Sequence, residues 1–288
     1  MKSRKKTTLL GLATMMVLTM IICSCGKADI GEGEPVETDS IAVDTIAGVQ
    51  GVHGVQGVQG VQDDTSQKGQ GNPKCHVHIG FKTPSNLPKG EAMFSLLSSI
   101  LPLNVETAYL PKTNSIDRVL HIFLKQYVED YQRDGRLILD QEPGNEGLNW
   151  EYRVKTDVRR YREGVIAYIA HIHTFEGGLY PIDQTVVRNI SEKDGRILSI
   201  SDILIPGYDK TLLEDVVEQL TEDFQVDDIE GLRSKGLFIG IEPYLPDNFI
   251  LGDGAIQFIY QADEIASHTL GEIKVTVRIG DSELRIKH

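Results

Sequence analysis

Cysteine and tryptophan are the scarcest side chains in this sequence, three and one among 288 residues. A chain with so few thiols is not a disulfide scaffold, so its folded part has to be held by a hydrophobic core. Basic residues are short as well: 29 Lys and Arg stand against 42 Asp and Glu, a formal charge of −13. That balance argues against general affinity for nucleic acid, which needs clustered cations against phosphate, and favours a basic partner. The sequence also lacks a Gly-x-Ser-x-Gly elbow, a His-Glu-x-x-His pair, a phosphate loop and a dinucleotide glycine pattern. No cofactor is therefore expected from its motifs.

The one extended apolar stretch runs from Leu9 to Ile22, behind Lys2, Arg4, Lys5 and Lys6. Its 14 positions fall short of the roughly 20 needed to cross a hydrocarbon core. A basic start, a short apolar run and a small residue before the cut describe a secretory signal peptide over residues 1–24; an uncleaved anchor helix is the alternative. The cut region Ile22-Cys23-Ser24-Cys25-Gly26 resembles a bacterial lipobox, with Cys25 as the lipidated residue. Lipid on Cys23 would put Ile22 where a small residue is expected. Two or more acyl chains make such an anchor stable, and membrane attachment through Cys25 implies a cell-envelope lipoprotein, with the outer membrane as its expected site. Cleavage removes four basic residues and takes the formal charge from −13 to −17. Cys75 is then the only free thiol.

Residues 25–74 read as a disordered, low-complexity tether. They hold no aromatic residue and carry five Gly-Val-Gln-type triplets from Gly48 to Gln62, one of them ending in His53. Glycine at every third position without proline does not make a collagen helix. A random coil of this length would reach on the order of 35–42 Å.

Residues 75–288 are long enough for one soluble domain, with subdomains over about 75–190 and 191–288. His76 to Phe81 alternates as a strand, and Met93, Leu96, Leu97 and Ile100 recur at helical spacing. A longer helix is predicted after Ser115, with Val119, Leu120, Phe123, Leu124, Tyr127, Val128 and Tyr131 along one stripe. Trp150–Tyr161 and Val165–Phe175 read as a hairpin, followed by a strand at Thr185–Ile190. A helix over Lys210–Phe224 directs Leu213, Val216, Val217 and Leu220 inward. Ile250 and Ile256–Tyr260 form a second hairpin around Asp253-Gly254, and Ile273–Ile279 alternates. Strand groups divided by separate helices predict an α+β fold, an antiparallel sheet with packed helices.

Asn248-Phe249, Asp253-Gly254, Phe258-Ile259-Tyr260, Glu264-Ile265-Ala266, Gly271-Glu272-Ile273 and Ser282-Glu283-Leu284 together resemble a known envelope-domain family of unknown function. Gly164–Phe175 followed by Glu176-Gly177-Gly178, and Asp194-Gly195-Arg196 with Leu198–Asp202, resemble its companion subdomain. That family occurs in the extracellular part of a lysozyme-binding anti-sigma factor, in the non-catalytic part of a peptidoglycan deacetylase and in many lipoproteins. The resemblance implies an α+β fold and, for most members, no catalysis. Two departures stand out: Leu179-Tyr180 follows the paired glycines where a histidine is usual, and Gln261–His268 keeps only the Glu-Ile-Ala centre of its motif. Lysozyme binding is therefore not carried over.

Among chemistry-bearing residues, His171 and His173 share one face of a strand, as do His76 and His78 beside Cys75. Two imidazoles at i and i+2 can share a metal, but a site needs further ligands, and half-buried strand histidines are the simpler reading. Asp202, Asp227, Asp228 and Glu230 read as solvated charge, and Cys75 as an inert thiol. Tyr152, Tyr161, Tyr168, Tyr180, Tyr244 and Tyr260 suit either a core or glycan stacking. The composite expectation is a non-enzymatic binding or sensing module for a basic protein or peptidoglycan. The alternatives are a wall hydrolase, or an accessory domain to one, and a purely structural lipoprotein.

Overall fold

The computed structural model describes residues 28–48, 51–57, 73–85, 91–101, 116–141, 146–280 and 282–285. The expected signal peptide, Cys25 and repeat residues 58–62 lie outside them. Strands β1 (Glu34–Pro35), β2 (Thr38–Gly48), β3 (Gly51–Gly57), β4 (Lys74–Pro84), β5 (Glu151–Arg162), β6 (Val165–Phe175), β7 (Ile182–Ser191) and β8 (Ile197–Leu198) form one sheet. Its order is β3-β2-β4-β5-β6-β7-β8, with β1 added on β5. The β4–β5 pair is parallel, because helices α1 (Glu91–Ser98) and α2 (Ile116–Leu139) carry the chain back between them. The other pairs are antiparallel, which makes the fold α+β.

One face of this sheet is apolar because strand alternation puts Val77, Ile79 and Phe81, Tyr152 and Val154, and Tyr168, Ala170 and Ile172 on the same side. The seven-residue stripe expected on α2 is buried against it. Cys75 lies in this core; burial, and secondarily the Glu176 charge, push its thiol up to about 12, so it is inert as a nucleophile.

A second core belongs to β9 (Phe249–Leu251), β10 (Ala255–Tyr260) and β11 (Ile273–Arg278), a three-stranded antiparallel sheet in the order β11-β10-β9. Short helix α3 (Ile200–Ile203) precedes α4 (Asp209–Phe224) and α5 (Ile229–Ser234). Helix α4 buries Leu212, Val216 and Leu220, an i, i+4, i+8 stripe. Leu213, expected inward, is only half-buried, because Leu212 takes that line. On β11, Thr276 is buried although alternation assigns it to the wet face; its hydroxyl accepts a hydrogen bond from Gln257 at 3.0 Å.

The two sheets meet where Ala167, Ile169 and Val187 pack on Ile250 and Ile259. Buried Asn189 joins them, donating to the Phe249 carbonyl at 2.8 Å and accepting from the Leu251 N–H at 3.1 Å. Beyond it, among the described residues, no strand pairs with the outer edge of β7, and two side-chain amides take that place. Asn248 accepts from the Val187 N–H at 2.7 Å and donates to the carbonyls of Thr185 at 2.7 Å and Ile259 at 3.1 Å. Gln261 accepts from the Thr185 N–H at 3.1 Å and donates to its carbonyl at 2.6 Å.

The tether expectation needs correction over 34–57. Thr38–Gly48 pairs with β4 along its whole length, from Thr38 opposite Pro84 to Gly48 opposite Lys74. Ile41, Val43, Thr45 and Ala47 alternate toward the helix-covered face, and without β2 the strand β4 would leave its backbone edge open. The acidic residues and glycine triplets drew the reading toward a coil and hid this alternation.

Two outcomes follow. Asn248→Ala removes three part-buried hydrogen bonds where the two sheets meet and should cost about 2–3 kcal/mol in urea denaturation. At the start of α3, the Ser199 hydroxyl, the Arg196 guanidinium and the Ser199 N–H all donate to Asp202 and hold its carboxyl down at about 2. A depressed native value stabilises above the unfolded pKa near 3.9 and is lost as pH falls through about 2. Asp202→Ala should therefore cost about 1 kcal/mol at pH 7 and roughly half as much at pH 3.

Candidate functional site

The face of the large sheet opposite the helices is polar, and the C-terminal sheet covers only part of it. Cross-strand register arranges the uncovered part in two rows. The first runs Asp44, His78, Arg153, His173, Asp183 from β2 to β7. The second runs Ala42, Gly80, Lys155, His171, Thr185 across the same strands. Next along, Lys82, Asp157, Ile169 and Val187 begin the covered interface; Lys82 donates to Asp157 at 2.9 Å.

The β5–β7 members of these rows, Arg153, His173 and Asp183 with Lys155, His171 and Thr185, floor a groove of about 580 Å³. Its wall is the β10–β11 connection, which contributes Ala262, His268, Gly271 and Glu272, and Pro181 stands opposite at the start of β7. Tyr180 stacks on the His268 ring with centroids 5.5 Å apart and planes 23° from parallel. The Tyr180 ring is 67% exposed, so its outer face is free to solvent. Leu179 and Ile182 beside it are also exposed.

Most of the ionisable groups here are tied to one another. His173 places Nδ1 2.7 Å from Asp183 and Nε2 3.6 Å from Glu151, so both ring nitrogens face carboxylates. Arg153 pairs with Glu151 at 3.2 Å, Glu272 with Lys274 at 2.9 Å, and His268 with Asp263 at 2.9 Å. His78 pairs with Asp44. The His171 Nδ1 lies 3.4 Å from the hydroxyl of Thr185, a buried residue. His171 and His173 thus share the groove, whereas His76 and His78 lie two strands away from them. Among the described residues, no three His, Cys, Asp or Glu side chains are grouped to hold a metal ion.

The other sequence candidates have local tasks. Asp228 caps α5 by accepting from the Gly231 N–H at 2.9 Å, and Glu230 pairs with Arg233 at 2.7 Å. Tyr152, Tyr168 and Tyr260 are buried and Tyr161 is half-buried; Tyr244 is exposed but commits its hydroxyl to Glu264, and Tyr180 is the more exposed of the two. Lys155, Asp183 and His268 were missed, because two come from adjacent strands and one from a long connection. Once the β5–β6 and β6–β7 hairpins are put in register, alternation alone would have found Lys155 and Asp183.

The family-signature positions do architectural work. Asn248 clamps β7, and Phe249 is buried in the C-terminal core. Tyr260 donates to the Tyr244 carbonyl at 2.6 Å, and Glu264 accepts from the Gln261 N–H at 2.7 Å and the Tyr244 hydroxyl at 2.6 Å. Buried Ile265 accepts from the Phe238 N–H at 2.7 Å, while Ala266 packs at the margin of that core. Gly271, at φ 65°, turns the chain into β11 at the groove wall. Gly178 follows Gly177 in the β6–β7 connection. Gly177 sits at φ 83°, and a Cβ there would fall 2.4 Å from the Gly147 carbonyl oxygen. Gly177→Ala should cost more than about 2 kcal/mol in chemical denaturation, since both the backbone angle and the space forbid it.

Residues 201–280 match the family model described as "Protein of unknown function (DUF3298)". A solved DUF3298-family structure from Bacteroides fragilis NCTC 9343 is similar, with a TM-score of 0.62 and 20% identity over 86% of this chain and 92% of that one. Another, from Pseudomonas aeruginosa PAO1, has a TM-score of 0.50 and 16% identity over 86% and 93%. At these identities the likeness is one of fold. No curated protein matches the sequence. The C-terminal unit, from α3 through β11, carries the DUF3298 match.

Proposed function

We propose that this protein is an envelope lipoprotein, anchored by lipid on Cys25, whose folded part is a non-enzymatic binding or sensing module for a cell-wall glycan. The observation that carries the ligand reading is the Tyr180 platform, backed by His268, beside a floor of hydrogen-bonding side chains. A sugar ring has an apolar face and a polar rim, and an aromatic face beside fixed polar groups answers both. The floor lies on a hydrogen-bonded sheet, so little ordering is needed on binding. For the anchor, the support is the lipobox-like run ending at Cys25 and the short apolar segment before it.

A wall hydrolase is the second reading, favoured by the His173–Asp183 pair inside the groove. Its weakness is chemical: both imidazole nitrogens of His173 face carboxylates, which leaves neither directed at a substrate proton. His171 faces a buried hydroxyl instead.

Retention on purified peptidoglycan tests the binding reading. The wild-type protein should be retained, and Tyr180→Ala should weaken retention about 2- to 10-fold, as expected for losing one aromatic contact. Equal retention of both, or of neither, would sink the groove assignment. Release of soluble wall fragments that stops with His173→Ala would establish the hydrolase instead. For the anchor, Cys25→Ser should abolish metabolic palmitate labelling whereas Cys23→Ser should not; the reverse pattern moves the lipid to Cys23.

A further inference from the structure

We propose that the groove's ligand carries a carboxylate on its sugar, and that Lys155, with His171 beside it, receives that group. The inference rests on the groove being the glycan site. Each of the other charged groups on the groove floor and wall already has a partner: Arg153 has Glu151, Asp183 has His173, and Glu272 has Lys274. Lys155 is the exception; among the described residues it makes no ion pair, although acids outnumber bases by 42 to 29 in this chain. It is exposed, in the middle of the second floor row.

The neighbours of Lys155 leave room for an incoming group. On one side its cross-strand partner is His171, whose contact is the 3.4 Å approach to Thr185. On the other side is Gly80, in the interior of β4, and beyond it Ala42. Nothing forces a glycine at position 80: a Cβ there would meet nothing closer than 3.7 Å. Glycine in a strand interior costs about 0.5–1 kcal/mol and often marks the close approach of a ligand. An ammonium without an ion pair and a facing imidazole, next to a strand position that has no side chain of its own and is bordered by the His78 ring, form a receptor for one anionic group. Two donors on a carboxylate make charge-assisted hydrogen bonds, the stronger kind. Asp183 and Glu272 also line the groove but each is held by its own partner, which leaves one cation for the ligand, so the charge match is to a single carboxylate on an otherwise neutral saccharide.

The test compares N-acetylmuramic acid, N-acetylglucosamine and D-alanyl-D-alanine as probes of the full chain by NMR titration: the same ring with and without a carboxylate, and a carboxylate without a ring. The acidic sugar should bind more tightly than the neutral one. Lys155→Gln should weaken the acidic sugar about tenfold or more and leave the neutral sugar unchanged. Lys155→Arg should restore most of the loss, and both variants should melt with the wild type because the side chain is exposed. If the two sugars bind alike and Lys155→Gln changes neither, the carboxylate inference is overturned while the groove stands. Binding of the dipeptide alone, sensitive to Lys155→Gln, would overturn the sugar as the carboxylate's source. Failure of both sugars and of peptidoglycan retention would remove the glycan reading itself.

Discussion

The outer edge of β7 is the constraint on which the rest of the structure depends. A strand that ends a sheet presents N–H and C=O groups that must be paired if they are to be buried. Strand β8 covers only Asn189 and Ile190. From Thr185 to Val187, Asn248 and Gln261 replace a missing strand with two side-chain amides, while Asn189 reaches the other way into β9. Three amides therefore fix the translation and the tilt of the C-terminal unit on the large sheet. Apolar contact alone, between a few aliphatic side chains, would not specify that register.

That docking creates the groove. The C-terminal sheet reaches as far as Ile169 and Val187 and stops, so the next two rows of the floor remain open with the β10–β11 connection standing over them. Gln261 clamps β7 at one end of this connection and Gly271 turns into β11 at the other. His268, between them, is thereby held under Tyr180. The same contacts that stabilise the fold thus set the width of the candidate binding site.

The long helix and the central hairpins were legible in the sequence because their signals are local: a seven-residue stripe on α2, β-branched alternation in β5 and β6, and Asp253-Gly254 between β9 and β10. What depends on distant partners was not legible. Nothing near Asn248 or Gln261 indicates that their amides finish an edge more than 60 residues away. Strand β2 was hidden by its composition, since its two-residue alternation is weak beside the acidic residues and glycine triplets around it. The histidine pair His171 and His173 was visible, but Lys155, Asp183 and His268 join it only through cross-strand register and a loop.

The central claim is that side-chain amides act as the missing strand at the β7 edge, and amide hydrogen exchange at Thr185 and Val187 tests it most directly. Both N–H groups point away from β6, to side-chain oxygens of Gln261 and Asn248. If the clamp holds, they should exchange as slowly as the amides of Gln184 and Val186, which face β6, and only through global opening. Fast exchange at Thr185 and Val187, with Gln184 and Val186 still protected, would contradict the account.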